Sequence, residues 1–297
     1  MMKKLMVCGT LASIATLTGC LGSDDDNNND TASAVQKDVA IQFAGEVNGQ
    51  PFSCADTYAG LGTNNSSAVL TDFRLYLNNV NLIDAEGNKH PVTLKNDGAW
   101  QTDEVVLLDF ETGDGSCTSG TAATNMTVSG TVAEGDYTGI EFNVGVPGQT
   151  NHQDSTAAPS PLNISGLFWR WQSGYKHARI DLKLDTPYDY TDSSGAAKTG
   201  TSWFLHLGST DCSGDPTQGE TVTCGNPNRP TITLNDFNIE ANKVIVDYGK
   251  LIATTNLSTP TPGPFGCMSG ATDADCVEVF KNLGITGDQT LFGKGSL

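Results

Sequence analysis

Apolar and polar residues alternate along this chain with the period of β-strands. Val39, Ile41 and Phe43 face one way and Ala40, Gln42 and Ala44 the other, which predicts a first strand over residues 39–47. Residues 69–83 carry Phe73-Arg-Leu-Tyr-Leu77 and Val80-Asn-Leu-Ile83, either one long strand or two with a bend. Residues 105–110 form a short apolar run of the kind found in buried strands. Residues 126–132 and 137–146 alternate again. In the second run Ile140, Phe142, Val144 and Val146 share a face until Pro147-Gly148 stops the pattern. Strands are also predicted over 167–171, 178–184, 202–207, 231–239 and 243–251. Turn residues divide these runs at short intervals, so the expected fold is all-β, a sandwich or barrel-like domain. The predicted helix covers 274–283, with Asp273 or Asp275 as its N-cap. The Thr/Pro-rich stretch 254–264 reads as a crossing loop, and 287–297 as frayed or loosely docked.

The N-terminus breaks the strand pattern. Met1-Met2-Lys3-Lys4 is basic, residues 5–16 are apolar or small, and Leu17-Thr18-Gly19-Cys20 reads as a lipobox whose Cys20 carries a lipid. Leu21 follows, not the Asp of an inner-membrane retention signal, so the expected location is a lipid anchor in the outer membrane, on the periplasmic or cell-surface side. Residues 23–30 (Ser-Asp-Asp-Asp-Asn-Asn-Asn-Asp) are polar and like-charged, as in a tether. The organisation expected is therefore a signal peptide over 1–19, lipidated Cys20 and acidic tether over 20–37, and one β domain over 38–297.

Composition narrows the function. The chain has 297 residues, with 16 Lys and Arg against 34 Asp and Glu, a net charge of −18. Losing Lys3 and Lys4 with the signal leaves 14 basic residues against 34 acidic ones, net −20. A nucleic-acid partner is excluded, since binding phosphates needs a basic face. Eight cysteines are present. Cys8 departs with the signal and Cys20 is lipidated, leaving Cys54, Cys117, Cys212, Cys224, Cys267 and Cys276. An even number in an oxidising compartment favours three disulfides, with fifteen connectivities open. Short loops close at least entropic cost, which favours Cys212–Cys224 and Cys267–Cys276 and leaves Cys54–Cys117. Thiolate metal binding is the alternative, weakened by the absence of any Cys-x-x-Cys pair.

The chemistry-bearing residues concentrate between 146 and 176. Trp169 and Trp171 are two apart, so a strand would set both on one face with Leu167. Such a pair is most often core. Asn151-His152-Gln153-Asp154 is a polar loop, where a histidine is most often solvated. His206 shares the face of Phe204 in an apolar strand and is expected to be partly buried, needing a hydrogen bond or a metal. His177 alternates with Arg179, Asp181 and Lys183, opposite Ala178, Ile180, Leu182 and Leu184, and is placed on the polar face. His90 precedes Pro91 in a turn-like stretch. Two neutral imidazoles brought together in an oxidising compartment would suit copper better than magnesium or calcium. Aspartates over 109–114 do not have the spacing of a calcium loop. No Gly-x-Ser-x-Gly elbow, His-Glu-x-x-His or phosphate loop is present, so the chain is not expected to be an enzyme. Tyr188, Tyr190 and Trp100, if exposed, could stack on sugars, and a surface adhesin or glycan-binding lipoprotein is the alternative reading.

A set of landmarks in fixed order resembles the MbnP-like copper-binding proteins, the four-Cys member of a "metallo-mystery pair", over about residues 38–285. The landmarks are Phe52-Ser-Cys54, Asp72-Phe-Arg-Leu-Tyr76, Leu108-Asp-Phe-Glu111 with Cys117, and Gly145-Val-Pro147 with Asn151-His152. They continue through Ser160-Pro-Leu-Asn163, Phe168-Trp-Arg-Trp-Gln172, Gly174-Tyr-Lys176, His206-Leu-Gly-Ser209 with Cys212, Gly266-Cys-Met-Ser269 and Asp275-Cys276. The resemblance implies an extracytoplasmic copper binder acting in copper acquisition or homeostasis. Its implied partner is a dihaem c-type enzyme similar to MauG and the bacterial cytochrome-c peroxidases. That partner converts a tryptophan of the pair to kynurenine, and copper binding depends on the change. Here the pair is Trp169 and Trp171, with Trp169 favoured. The implied ligands are His152, His206 and the modified Trp169, with Met268 as a soft outsider.

Overall fold

The computed structural model describes residues 35–170, 172–191, 194–259 and 265–297. The signal peptide, Cys20, residues 20–34 of the expected tether, Trp171 and part of the crossing loop lie outside the described residues, while Gln36 and Lys37, expected in the tether, already belong to the first strand, Gln36–Val47. Among the described residues the strands form a six-stranded sheet, a ten-stranded sheet and a two-stranded hairpin. The smaller sheet runs in the order Phe292–Ser296, Asn242–Asp247, Gln36–Val47, Thr127–Ala133, Thr93–Leu94. The larger runs Thr231–Asn235, Gly139–Val144, Ser66–Ile83, Gly174–Thr191, Ala197–Gly208, Gly266–Cys267. Val105–Asp109 also pairs with Ser66–Ile83, and Phe168–Arg170 with Gly174–Thr191. Residues 69–83 are thus one strand, extended to Ser66–Ile83. The two sheets bury a common core in which Ile41, Phe43, Phe73, Leu75, Phe142, Ile180 and Leu205 are all within 3% of full burial. The domain is an all-β, sandwich-like fold.

Period 2 explains the core and also what lies behind it. Phe73, Leu75 and Leu77 point inward, so Asp72, Arg74 and Tyr76 point to the outer face of the large sheet. That outer face is not solvated. One part is a second apolar cluster of Tyr76, Val105, Leu107, Val146, Leu167 and Tyr175. Val105–Asp109 is buried on both faces, and this is why its sequence reads as a continuous apolar run.

Several expectations are corrected at element ends. Residues 243–251 do not stay extended: the strand is Asn242–Asp247, and the Asp247 side chain caps a helical turn, Tyr248–Leu251, by accepting from the Lys250 N–H. The C-terminal segment is not frayed. Phe292–Ser296 adds an antiparallel edge strand to Asn242–Asp247, with Leu291 and Phe292 buried. The predicted helix is shorter, Cys276–Asn282, with Asp275 at its N-cap position making no side-chain cap bond. Its Oδ2 instead accepts from the Gly266 N–H. The disulfides are Cys54–Cys117, Cys212–Cys224 and Cys267–Cys276, as loop closure favoured.

Candidate functional site

The register of the large sheet assembles a row of charge on its outer face. Asp109 is opposite Arg74, Arg74 opposite Arg179, and Arg179 opposite His206. One step along, Asp72 faces Asp181, which faces Phe204. The ion pairs follow the rows. Arg74 forms a two-pronged pair with Asp72 (Nε to Oδ1, 2.9 Å, and Nη2 to Oδ2) and sits 3.3 Å from Glu111. Arg179 Nε lies 2.8 Å from Asp181 and 3.2 Å from Asp72. The row ends at His206, whose Nε2 is 3.0 Å from Asp181 Oδ1. The carboxylate can only accept, so Nε2 carries the proton and Nδ1 is the nitrogen left to act as a ligand.

This network is buried: Asp72, Glu111 and Asp181 are at most 1% exposed. Burial pushes the Asp109 and Glu111 carboxyls up to about 7, and raises Asp72 despite its arginines. Both Glu111 oxygens lack a hydrogen bond. The 3₁₀ turn Ser165–Leu167 lies close to this row. The Gly166 carbonyl accepts from Lys176 Nζ at 2.8 Å, and a Cβ at Gly166 would stand 3.4 Å from Arg179.

Trp169 follows on the three-residue strand Phe168–Arg170 and is half-buried. Its ring is 6.4 Å, centroid to centroid, from His206 and lies against Gly208, where a Cβ would stand 2.5 Å from Trp169 Cζ3. Gly208 is on the same face as His206, two residues on, so the missing side chain leaves the space for the indole. Met268 lies one residue past the parallel pairing of Gly266–Cys267 with Phe204 and Leu205, on the sheet edge beside His206. Its N–H donates to Asp273.

His152 is not solvated. It ends the 3₁₀ turn Gly148–His152 and is 5% exposed. The neighbouring Asn151 sets its orientation. Asn151 Oδ1 accepts from the Tyr175 N–H at 2.9 Å, which turns Nδ2 toward His152 Nε2 (3.3 Å) and Ser209 Oγ (3.4 Å). Nδ2 is a donor, so His152 Nε2 receives, with its lone pair on that side. Gly174, at φ +76°, is the only residue type that fits against Asn151, whose Cγ would be 2.6 Å from any Cβ there. Beyond Nε2, at 3.5 Å, is Cys224 Sγ of the disulfide hairpin. His152, Phe168 and Arg170 line one cleft of about 730 Å³. The Trp169 side and the His152 side meet at Gly208-Ser209.

His177 is the largest correction among the histidines. The expected polar face is itself covered, and His177, at the register shift between Lys176 and Ala178, is fully buried. Its Nδ1 accepts from the Val146 N–H at 3.2 Å, and Nε2 is 3.2 Å from both Ser209 Oγ and the Pro227 carbonyl. Burial, reinforced by the charge of Arg229, pushes it down to about 3, so it is a neutral strut. His90 is held by Asp84 at 2.9 Å. Tyr188 is not exposed as the sugar-stacking reading requires: it is 6% exposed, with its ring 4.5 Å from that of Phe265 and its hydroxyl donating to Ser202 O. Tyr190 and Trp100 are half-buried.

Fold and site together define a disulfide-stapled β-sandwich that carries histidines beside a half-buried tryptophan. The sequence model of the MbnP family matches residues 36–269, and the chain belongs to that family. The solved structure of MbnP from Methylosinus trichosporium superposes with a TM-score of 0.78 at 32% identity, covering 88% of this chain and 99% of that one. A comparison with curated proteins finds no match.

Sequence reasoning singled out His152, His206 and Trp169: the structure sets Trp169 against Gly208 with its ring 6.4 Å from that of His206, while His152 lines a cavity with Ser209. Sequence reasoning missed Asp181, which orients His206, and Gly208, which admits Trp169. The alternation of Asp181 with Arg179 was visible, but only the register brings His206 beside them. Among the described residues, His152 with Cys212 and Cys224 is the one group of three or more His, Cys, Asp or Glu ligand atoms lying within 4.8 Å of one another.

Proposed function

We propose that this chain is an extracytoplasmic copper-binding protein, not an enzyme, whose Trp169 is converted to kynurenine by a dihaem partner. In this reading Cys20 anchors it to the outer membrane, and it acts in copper acquisition or homeostasis. The observation that carries the reading is the packing of the Trp169 ring beside His206, whose Nε2 is held by Asp181. The donor chemistry fits copper. Asp181 on Nε2 leaves His206 Nδ1 as a ligand, and a carboxylate behind a ligating imidazole fixes its ring and raises its basicity. An indole N–H only donates. Opening the ring to kynurenine, with one carbon lost and one oxygen gained, leaves an aromatic amine with a lone pair. His152 and the kynurenine of Trp169 join His206 in the proposed set. Met268 is a thioether on the same edge and would favour Cu(I). Half-burial of Trp169 leaves its strand reachable from the open cleft, as oxidation by a partner requires, and the acidic surface suits a partner with a basic face. Bound copper would supply soft-metal coordination. The chain's own residues hold the tryptophan, orient the imidazoles and pin the loops with three disulfides.

The test is peptide mapping of residues 166–176 from protein made with and without a dihaem partner, together with copper analysis. The expected result is kynurenine at position 169 and stoichiometric copper only in the first case. Loss of both in Trp169→Phe but not in Trp171→Phe would assign the position. Two intact tryptophans in both preparations would overturn the reading, as would full copper retention in the His152→Ala/His206→Ala double variant.

A further inference from the structure

The three disulfides do not occupy equivalent places. Cys54, Cys117, Cys267 and Cys276 are at most 4% exposed. Cys212 and Cys224 are half-exposed and pair directly across the two strands Thr210–Ser213 and Thr223–Asn226, a hairpin outside both sheets. This is the bridge a reductant meets first. It is also the bridge beside an imidazole: Cys224 Sγ stands 3.5 Å from His152 Nε2, and all three ligand atoms fall within 4.8 Å of one another. A cavity of about 290 Å³ opens on two of the three, His152 and Cys224, and is lined also by Asn151, Ser209, Pro227 and Arg229.

We propose that Cys212, Cys224 and His152 form a second, redox-gated site for a thiophilic ion, Cu(I), closed while the disulfide stands and opened by a dithiol. The site shares His152 with the proposed function but needs neither kynurenine nor a haem partner. The balance is simple. A dithiol gives two electrons and two protons, the Cys212–Cys224 bond breaks to two thiols, and the dithiol closes to its own disulfide. One Cu(I) then replaces the two thiol protons, which leave to solvent, and His152 Nε2, giving up its hydrogen bond from Asn151 Nδ2, supplies the third bond. The dimensions agree. With metal–sulfur bonds of about 2.3 Å and metal–nitrogen bonds of about 2.05 Å, a trigonal three-ligand centre has an N···S edge of about 3.8 Å. The imidazole stands 3.5 Å from Cys224, close to that spacing, so the main change is that the sulfurs separate, to about 4.0 Å. The freedom lies in a two-stranded hairpin attached to neither core. Arg229 borders the cavity, and its positive charge favours the thiolates. Thiolate donors select Cu(I) over harder ions.

The experiment uses the full chain made without a haem partner, so that no kynurenine forms. Limiting dithiothreitol is added and removed anaerobically, the freed thiols are mapped by alkylation, and Cu(I) is titrated against bicinchoninate. The expected result is selective opening of Cys212–Cys224 and one more equivalent of Cu(I) in the reduced than in the disulfide form. X-ray absorption should show sulfur neighbours at about 2.3 Å. The extra equivalent should vanish in Cys212→Ser/Cys224→Ser and in alkylated wild type, which needs no mutation to read. It should weaken at least tenfold in His152→Ala. No extra equivalent on reduction, an extra equivalent that survives the double serine variant, or earlier opening of a buried bridge would each overturn the proposal. Failure of the kynurenine reading would show instead in the peptide map and leaves this increment unchanged.

Discussion

Glu111 is a buried carboxylate with no hydrogen bond to either oxygen, 3.3 Å from Arg74 and pressed against Gly120. Burial moves it from an ordinary 4.5 up to about 7. The folded protein therefore holds a proton that the unfolded chain releases between pH 4.5 and pH 7. A group that binds more protons in the folded state stabilises the fold at low pH, and that stability is lost as pH rises through the folded value. For Glu111 alone the loss from pH 4.5 to pH 8 is about 3 kcal/mol. Glu111→Gln keeps the shape and removes the titration. Removing the charge also lowers the neighbouring Asp109, which Glu111 helps raise, and this acts in the same direction. The expected outcome is a variant close to wild type at pH 5 that gains about 2–3 kcal/mol over wild type by pH 8. Urea unfolding at a series of pH values, with disulfides intact, measures it. His177, held down by burial, contributes the opposite slope below pH 6.5 but equally in both proteins, so it cancels in the difference. A stability difference that stays flat from pH 5 to pH 8, or grows toward acid, would refute the assignment of Glu111 as a neutral acid in the fold.

Two further outcomes follow from the same geometry. Asp181→Asn removes the carboxylate from His206 Nε2 while Arg179 keeps Asp72; copper affinity should fall about 10–100-fold with the unfolding midpoint little changed, read by competition titration. Gly208→Ala sets a Cβ 2.5 Å from Trp169 and 2.9 Å from the Tyr175 carbonyl, so the indole must shift; about 1–3 kcal/mol of stability and most kynurenine formation should be lost, and an unchanged midpoint with normal conversion would contradict the packing described.

Alternation identified most of the long strands of both sheets, because each sheet buries one face in the common core and period 2 records that in the sequence; it missed the short strands and the edge strand Phe292–Ser296. Loop length alone favoured the three disulfides over the other connectivities, because closing entropy rises with separation. The ordered landmarks were enough to reach the family. Alternation says which residues share a face, but not whether anything covers it, so Asp181 and His177 read as solvated and are buried, and Arg179 is half-buried. Loops that return from elsewhere in the chain cover that face, and His177 is held among them by the Val146 N–H, Ser209 and the Pro227 carbonyl. The row from Glu111 through Arg74 and Arg179 to His206 draws on four separated strands and loops, and only strand pairing aligns them. The contact of His152 with Cys224 is of the same kind: residues 72 positions apart meet because Asn151 is clamped against Gly174 and the hairpin folds over it. Secondary structure follows from local sequence because its physics is local. The site depends on register and on what packs above the sheet, and those exist only once the chain is folded.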